Sequence, residues 1–490
     1  MTHDRLTSPQ RWVLGLTALA ALLVGLDTTV VATALTTLRL DLGASAEQLE
    51  WTVNAYTLSF AVLLLTAAAL GDRFGRRRIF VAGLSVFALA SAACAVAPGV
   101  GWLIAARAVQ GAGAAAVMPL ALTLLGEVVS PSTRARALGM FSAVVGASVP
   151  AGPLVGGAIA DGTSWRWIFW LDVPLLALLI PLVLTRIAPS RGPRVRLDLP
   201  GLLLSAGAAL GLVWGLVRAN TAGWTGPETL LTLGAGMVLT VAFVFVERRT
   251  EQPMLPLRLF GVRAFAAGNG AIFFLWASTF GSVYFMAQFF QVGQSTGPFE
   301  AGLRLMPWGA MTVLVPRTVG TLIPKFGERP FIVGGMVLHG ASLVWIAVLA
   351  APDVAYWQLV APLILSGIGV AAAIPATQSA VLGAVTPPDL GKASGAYSAL
   401  RQLGGAFGVA AVVAVFAASG GYASARVFVD GFTPALIGCA ALAAGAVVAG
   451  TGTPGRKLVT ATRIDIPASA APAVATPPLS TPPESARTGR

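Results

Sequence analysis

The chain has 490 residues, 56% of them hydrophobic and 11% charged, with a formal net charge of +12. Soluble domains carry roughly 25% charged residues, so the composition excludes an ordinary soluble enzyme and points to a bilayer protein. In a soluble chain the basic excess would suggest nucleic acid or acidic partners; here the placement of the charges accounts for most of it.

Apolar runs of about 20 residues, the length a helix needs to cross roughly 30 Å of hydrocarbon, recur along the chain. Fourteen spans are predicted, near 12–36, 51–70, 79–97, 101–126, 137–160, 166–185, 200–218, 229–246, 264–290, 301–323, 331–350, 357–380, 393–418 and 432–451. The first is too long for the apolar region of a cleavable signal, roughly 7–15 residues, and is read as span 1. With the N-terminus cytoplasmic, the inner loops and tails collect most of the 32 Lys and Arg, while the outer loops hold Arg39, Arg218 and Arg426. That is the positive-inside pattern, and it places both termini in the cytoplasm. Cys94 and Cys439 fall inside apolar runs far apart in sequence, which suggests neither a disulfide nor a thiolate metal site. The stretch after Gly452 is rich in Ala, Pro, Ser and Thr; it cannot bury enough apolar surface to order itself, so disorder is expected.

Part of the stretch Leu103 to Gly157 lies, at a constant offset of 256 residues, on Leu359 to Gly408. Gly111 matches Gly367, Gly113 matches Gly369, Pro119 matches Pro375, Pro131 matches Pro387 and Gly139 matches Gly395. Such a match marks an internal repeat and divides the spans: six in an N-terminal half (1–190), an inserted pair with its loops (191–262), six in a C-terminal half (263–452), and a tail (453–490).

This arrangement, with a basic loop between spans 2 and 3, resembles the major facilitator superfamily. The inserted pair narrows the likeness to its fourteen-helix drug:proton antiporter branch, over about residues 10 to 452. The resemblance implies an all-α integral membrane protein of the major facilitator fold, made of two six-helix pseudo-repeats with two inserted helices and a site near the membrane midplane. The loop Leu70-Gly71-Asp72-Arg73-Phe74-Gly75-Arg76-Arg77-Arg78 resembles the superfamily motif G-x-L-x-D-R-x-G-R-R, with Ala68 for the opening glycine. Asp72, Arg73, Gly75, Arg76 and Arg77 are therefore read as a conformational gate. The Asp72 carboxylate would cap the positive N-terminal end of a helix from the other half, that beginning near Lys392. A merely topogenic basic loop is the alternative.

In span 1, Leu26-Asp27-Thr28-Thr29-Val30-Val31 resembles the branch's L-D-x-T-V-V signature, with Ala32 and Thr36 where the family has asparagine and proline. An acid within a span is costly and marks a proton-relay candidate; a structural partner is the bland alternative. Trp51 to Tyr56 resembles the W-x-x-x-x-Y start of span 2. In span 4, Arg107, Gln110, Gly111 and Gly113 resemble R-x-x-Q-G-x-G. At 1.5 Å per residue the depths of Asp27 and Arg107 differ by about 5 Å, so a proton-coupling pair is expected; Arg107 snorkelling or holding a neighbouring helix is the alternative. Span 5 carries Ser148, Gly152, Pro153, Gly156 and Gly157, resembling G-x-x-x-G-P-x-x-G-G with serine first. Glycines four apart let helices approach closely and Pro153 bends the axis, which makes it a mechanical element or a packing face alone. Trp165-Arg166-Trp167-Ile168-Phe169 resembles the branch's W-R-W-I-F segment, for which interfacial anchoring suffices.

Span 9 sets Trp276, Phe280, Tyr284 and Gln288 four apart on one face, suited to stacking and cation–π contact with a flat lipophilic or cationic compound, or to lipid contact or packing. Asn54 and Gln110 are further cavity candidates. His339 reads as a packing residue rather than a proton carrier, and Arg401 has no partner legible in the sequence. No G-x-x-x-x-G-K-[ST] phosphate loop and no His or Cys cluster is present, so no enzyme, metal or cofactor is expected and energy is expected from an ion gradient, which the resemblance implies is one of protons. The expected function is secondary efflux of lipophilic drugs or antibiotics in exchange for protons at a bacterial inner membrane, with no nucleic acid partner. A facilitator-fold importer or symporter and a non-transporting scaffold are the alternatives; charges held inside the bilayer argue against a scaffold.

Overall fold

A computed structural model describes residues 6–455 apart from Ser130, 193–197, Gln252, Pro387 and Pro388; the expected disordered tail lies, from residue 456 on, outside the described residues. Among those residues every regular element is a helix: α1 (Ser8–Leu42), α2 (Ala46–Phe74), α3 (Arg76–Ala95), α4 (Val100–Val128), α5 (Pro131–Gly162), α6 (Arg166–Trp170), α7 (Asp172–Arg186), α8 (Leu199–Ala222), α9 (Pro227–Arg249), α10 (Arg263–Gln288), α11 (Pro298–Arg304), α12 (Met306–Phe326), α13 (Arg329–Leu349), α14 (Tyr356–Leu382), α15 (Leu390–Ser419) and α16 (Ala425–Gly450), with a short 3₁₀ turn at Leu257–Gly261 and a π turn at Phe289–Gly293. Backbone groups in hydrocarbon must bond within their own segment, which is why helices dominate.

Local signals set the ends. Thr7 and Gln10 form a capping box at the start of α1, and Gly43 closes its far end in the left-handed region at φ 60°. Ser45 and Gln48 box the start of α2. These are the reciprocal side-chain and backbone bonds that satisfy free helix-end donors.

Thirteen helical stretches are long and apolar enough to cross a membrane among the described residues, counting α6 with α7 and α10 with its π turn as single stretches. The remaining expected span, near 301–323, is broken at Leu305 into α11 and α12. α12 is 21 residues long, but Pro307, Pro316, Pro324, Arg317 and Lys325 dilute its apolar content.

The repeat seen at the 256-residue offset is a repeat of joints. Gly111 on α4 lies against the Tyr56 carbonyl of α2, and Gly367 on α14 lies against the Trp308 carbonyl of α12. A Cβ on Gly113 would stand 2.7 Å from the Phe87 nitrogen of α3, and one on Gly369 2.8 Å from the His339 nitrogen of α13. Pro119 and Pro375 sit at matching places inside their helices. Small residues at these points let helix backbones touch.

The inserted pair is placed across the seam between the halves. α8 packs on α2 from one half and α15 from the other, its Val213 and Val217 buried with Leu58, Ala406 and Ala410. Trp214 meets Trp51 at 5.1 Å between ring centroids, and Arg218 reaches Glu47 at 3.7 Å and Glu228 at 3.3 Å. α9 packs on α8 and leaves Leu231, Val238, Val241 and Phe245 exposed, an apolar face suited to hydrocarbon.

Candidate transport site

Four helices of the first half bring a charge network together. Asp27 on α1 and Arg107 on α4 are each no more than 2% exposed, and Arg107 Nη1 donates to Asp27 Oδ2 at 2.5 Å. Gln110, one turn along α4, donates to Asp27 Oδ1 at 3.1 Å and accepts from Arg107 Nη1 at 2.7 Å. Arg107 Nε donates to the Thr52 carbonyl at 3.0 Å, and the guanidinium lies 4.2 Å from the Tyr56 ring centroid and 5.8 Å from that of Phe169. A buried ion pair holds together only when its remaining donors and lone pairs are also satisfied; here the peptide and amide groups supply them.

The network continues to a second buried acid. Gln110 Nε2 also donates to Ser91 Oγ on α3 at 2.9 Å, and Ser91 Oγ donates to Asp172 Oδ2 on α7 at 3.3 Å. Asp172 is 2% exposed. A third acid, Glu50 on α2, is fully buried and bonded to Asn54 Nδ2 at 3.4 Å. The sequence reading thus places Asp27 with Arg107, but Gln110, read as a cavity residue, is held in the shell of the ion pair, and Asn54 in that of Glu50. Asp172, Ser91 and Glu50 were missed, and Tyr56 was read only as the end of the W-x-x-x-x-Y segment, not as a neighbour of Arg107. Asp172 is the sole acid of its apolar run, so the rule that selects Asp27 selects it too.

The glycines of α5 set the wall beside this network. A Cβ on Gly152 would overlap Thr29 Oγ1, and one on Gly156 the Val30 carbonyl, both on α1 just past Asp27. The opposite edge meets the other half: Gly157 lies against the Pro298 carbonyl of α11, and the Pro153 carbonyl lies against Gly302. α5 is therefore wedged between the helix that carries Asp27 and the second half.

On the second half, α10 presents its aromatic stripe inward. Trp276 is 8% and Tyr284 3% exposed, Gln288 is fully buried and Phe280 partly so. Trp276 and Phe280 lie 5.1 Å apart between centroids, and the Arg401 guanidinium of α15 lies 4.8 Å over Trp276. Gln288 accepts from Tyr422 Oη at 2.7 Å, and Arg39 of α1 lies 4.3 Å over the Tyr422 ring. Gln291 Nε2 donates to the Thr33 carbonyl of α1 at 2.9 Å. These contacts and the α5–α11 seam close the two halves on each other at the Arg39 end. Trp165, read as an interfacial anchor, is instead buried, with its indole N–H on Asp41 at 2.8 Å, while Trp167 is exposed.

At the opposite end the basic loop bonds to α4, to α7 and to the chain that follows α7, where the Gly192 N–H donates to the Asp72 carbonyl at 3.1 Å. Gly75 adopts φ 112°, a left-handed conformation that favours glycine. Asp72 holds Arg76 at 2.7 Å, Arg76 reaches Glu127 at the end of α4, and Arg77 Nη1 donates to the Leu184 and Ile187 carbonyls at 3.0 and 2.8 Å, closing the end of α7. Arg73 lies over the Phe74 ring. Among the described residues Asp72 makes no cap onto the helix near Lys392; Asp389, before α15, pairs with Arg258 at 2.7 Å. The Asp72 carboxylate is occupied by Arg76, one turn along.

His339 joins three helices of the second half. Ser278 Oγ donates to the Cys439 carbonyl at 2.7 Å, so it accepts from His339 Nε2 at 3.1 Å, and Nδ1 accepts from Ser366 Oγ at 2.9 Å. A neutral imidazole satisfies the whole set.

Comparison with known proteins agrees with this architecture. Residues 17–409 match the Major Facilitator Superfamily model. The chain is 34% identical over 409 residues to the tetracenomycin C resistance and export protein of Streptomyces glaucescens, covering 82% of this chain and 75% of that one. It is 36% identical over 412 residues to the puromycin resistance protein pur8 of Streptomyces alboniger (82% and 81% covered), and 36% over 416 residues to the cephamycin export protein CmcT of Amycolatopsis lactamdurans (84% and 85%). Among solved structures, a bacterial homologue of the lysosomal transporter Spinster, inward-facing and unoccupied, superposes with a TM-score of 0.68 at 17% identity, over 91% of this chain and 98% of that one. A peptide transporter of the POT family gives 0.67 at 13% identity, over 89% and 94%. With its membrane-crossing helices, its repeated joints and this match over most of its length, the chain belongs to the Major Facilitator Superfamily.

Proposed function

We propose that this protein exports lipophilic, antibiotic-like molecules across a bacterial inner membrane in exchange for protons, with both termini on the cytoplasmic side. The observation that carries the reading is the buried Asp27–Arg107 pair with Gln110. Intramembrane charges are costly and are kept for ion or substrate pathways. Protonating Asp27 removes the counter-charge of Arg107, so the proton and the ion pair are alternatives at one place. That exchange biases α1, and α5, which packs on α1 through Gly152 and Gly156, would carry the bias to the second half. The names of the relatives support export as the direction. Trp276, Phe280, Tyr284 and Gln288 are the proposed cavity face of the second half, and Asp72, Arg73, Gly75, Arg76 and Arg77 the proposed gate at the opposite end from Arg39.

The test is uncoupler-sensitive efflux of a lipophilic fluorescent dye from cells carrying the parent or Asp27→Asn. Loss of efflux in both the uncoupled parent and the variant, with protein still in the membrane, is the expected result. Efflux by Asp27→Asn that still follows the proton gradient sinks the coupling role. Accumulation driven by the same gradient would favour the importer reading.

A further inference from the structure

Arg401 differs from the other arginine held within the bundle. Arg107 has Asp27 as its counter-charge. Arg401, the twelfth residue of α15 and about 17 Å along it at 1.5 Å per residue, pairs with no carboxylate among the described residues. Its Nε donates to Gln402 Oε1 at 3.4 Å, its face covers Trp276, and the ionisable groups within electrostatic reach are the phenols Tyr397 and Tyr56. A guanidinium does not shed its proton in proteins, so this charge stays. Beside it stand two further donors without acceptors: Gln402 Nε2, on a side chain 1% exposed, and the Trp276 indole N–H, on one 8% exposed. Buried donors left unmatched cost about 1–3 kcal/mol each. Two adjacent buried donors thus lack an acceptor beside a permanent charge that lacks a counter-charge among the described residues, and Phe280 adds an apolar ring beside Trp276.

We propose that Arg401, Gln402 and Trp276 form a subsite for the carboxylate, or a similar planar oxyanion, of an otherwise lipophilic aromatic substrate. The inference rests on the export reading and changes its substrate class: the second half selects for negative charge rather than for a cation. The fork of guanidinium donors matches a planar oxyanion, and the Trp276–Phe280 pair receives the rings. At this depth the anion comes from the transported molecule, since lipid phosphates lie at the membrane surface.

The experiment uses the full chain in nanodiscs of zwitterionic lipid, with anthracene-9-carboxylate and 9-anthracenemethanol as a probe pair of equal ring size, read by fluorescence anisotropy. The parent is expected to bind the carboxylate about tenfold more tightly than the alcohol, the scale of a charge-assisted bidentate contact. Arg401→Gln is expected to lose that preference while keeping alcohol binding, Arg401→Lys to restore part of it, and Gln402→Leu, which retains the arginine, to weaken the carboxylate alone. Equal binding of the two probes by the parent, or a folded Arg401→Gln that keeps the preference, overturns the subsite. Efflux of both probes from proteoliposomes under an imposed pH gradient, without preference, overturns the subsite and leaves the export reading intact; no binding and no transport of either probe overturns both.

Discussion

Gly157 of α5 lies directly against the backbone of Pro298 at the start of α11, with no room for a Cβ between them. The contact is one between halves, and it stands on the same helix as Gly152 and Gly156, which meet α1 at Thr29 and Val30, just past Asp27. Gly157→Leu should therefore force the halves apart at that end and abolish efflux while the protein still inserts. Gly146→Ala on the same helix, where a Cβ meets nothing within 4 Å, should leave transport unchanged. Overpacking costs typically about 1–3 kcal/mol, which thermal unfolding in detergent would register for the first variant only.

Removing Arg107 leaves the Asp27 carboxylate buried without its cation, a change that costs about 3–5 kcal/mol in comparable sites. Arg107→Gln should lower the unfolding temperature, and adding Asp27→Asn should return much of it, because two neutral amides can bond across the same gap. Melting curves of the two single variants and the double variant measure the coupling. Additive losses would mean that the pair does not act as a unit.

The chain of bonds from Asp172 through Ser91 and Gln110 to Asp27 predicts a second place for a proton. Asp172→Asn keeps an acceptor for the Ser91 hydroxyl, so folding and expression should be unchanged. The initial rate of efflux plotted against pH should shift in Asp172→Asn and in Ser91→Ala. Profiles that superimpose on the parent's would reduce Asp172 to a packing residue.

His339 should behave as a structural bridge. His339→Phe takes the acceptor from the Ser366 hydroxyl and leaves Ser278 with its Cys439 bond alone, worth about 1–3 kcal/mol of destabilisation, yet efflux should remain uncoupler-sensitive. A folded variant that transports without responding to the uncoupler would make His339 part of the proton path.

The helices and the repeat were legible because hydrocarbon demands long apolar runs and because Gly111, Gly113, Gly367 and Gly369 are fixed by contacts that leave no room for side chains. The Asp27–Arg107 pair was legible because few other reasons put an acid and a base at one depth. Asp172 was hidden by its surroundings, since the preceding tryptophans suggested an interface; the structure instead buries Trp165 by giving its N–H to Asp41. Glu50 fell one residue outside the span drawn from 51. The break at Leu305 has a local signal that the drawn span passed over: Pro307 stands in the first turn of α12, and a proline lacks the backbone donor that would continue the helix of α11. The partner of Asp72 was misjudged because a motif names the residue and not which of several nearby cations it meets.

The duplicated glycine joints also divide electrical work. At the 256-residue offset Arg107 is answered by Leu363 and Gln110 by Ser366, and Ser366 serves the His339 bridge. One copy of the joint therefore holds an acid and a base, the other a set of neutral groups. A unit charge crossing the whole membrane potential gains about 2.3 kcal/mol per 100 mV, and a joint of neutral groups offers that potential no charge to act on. Voltage would then grip the first joint as a proton comes and goes, while the second, electrically silent, holds its three helices in fixed register.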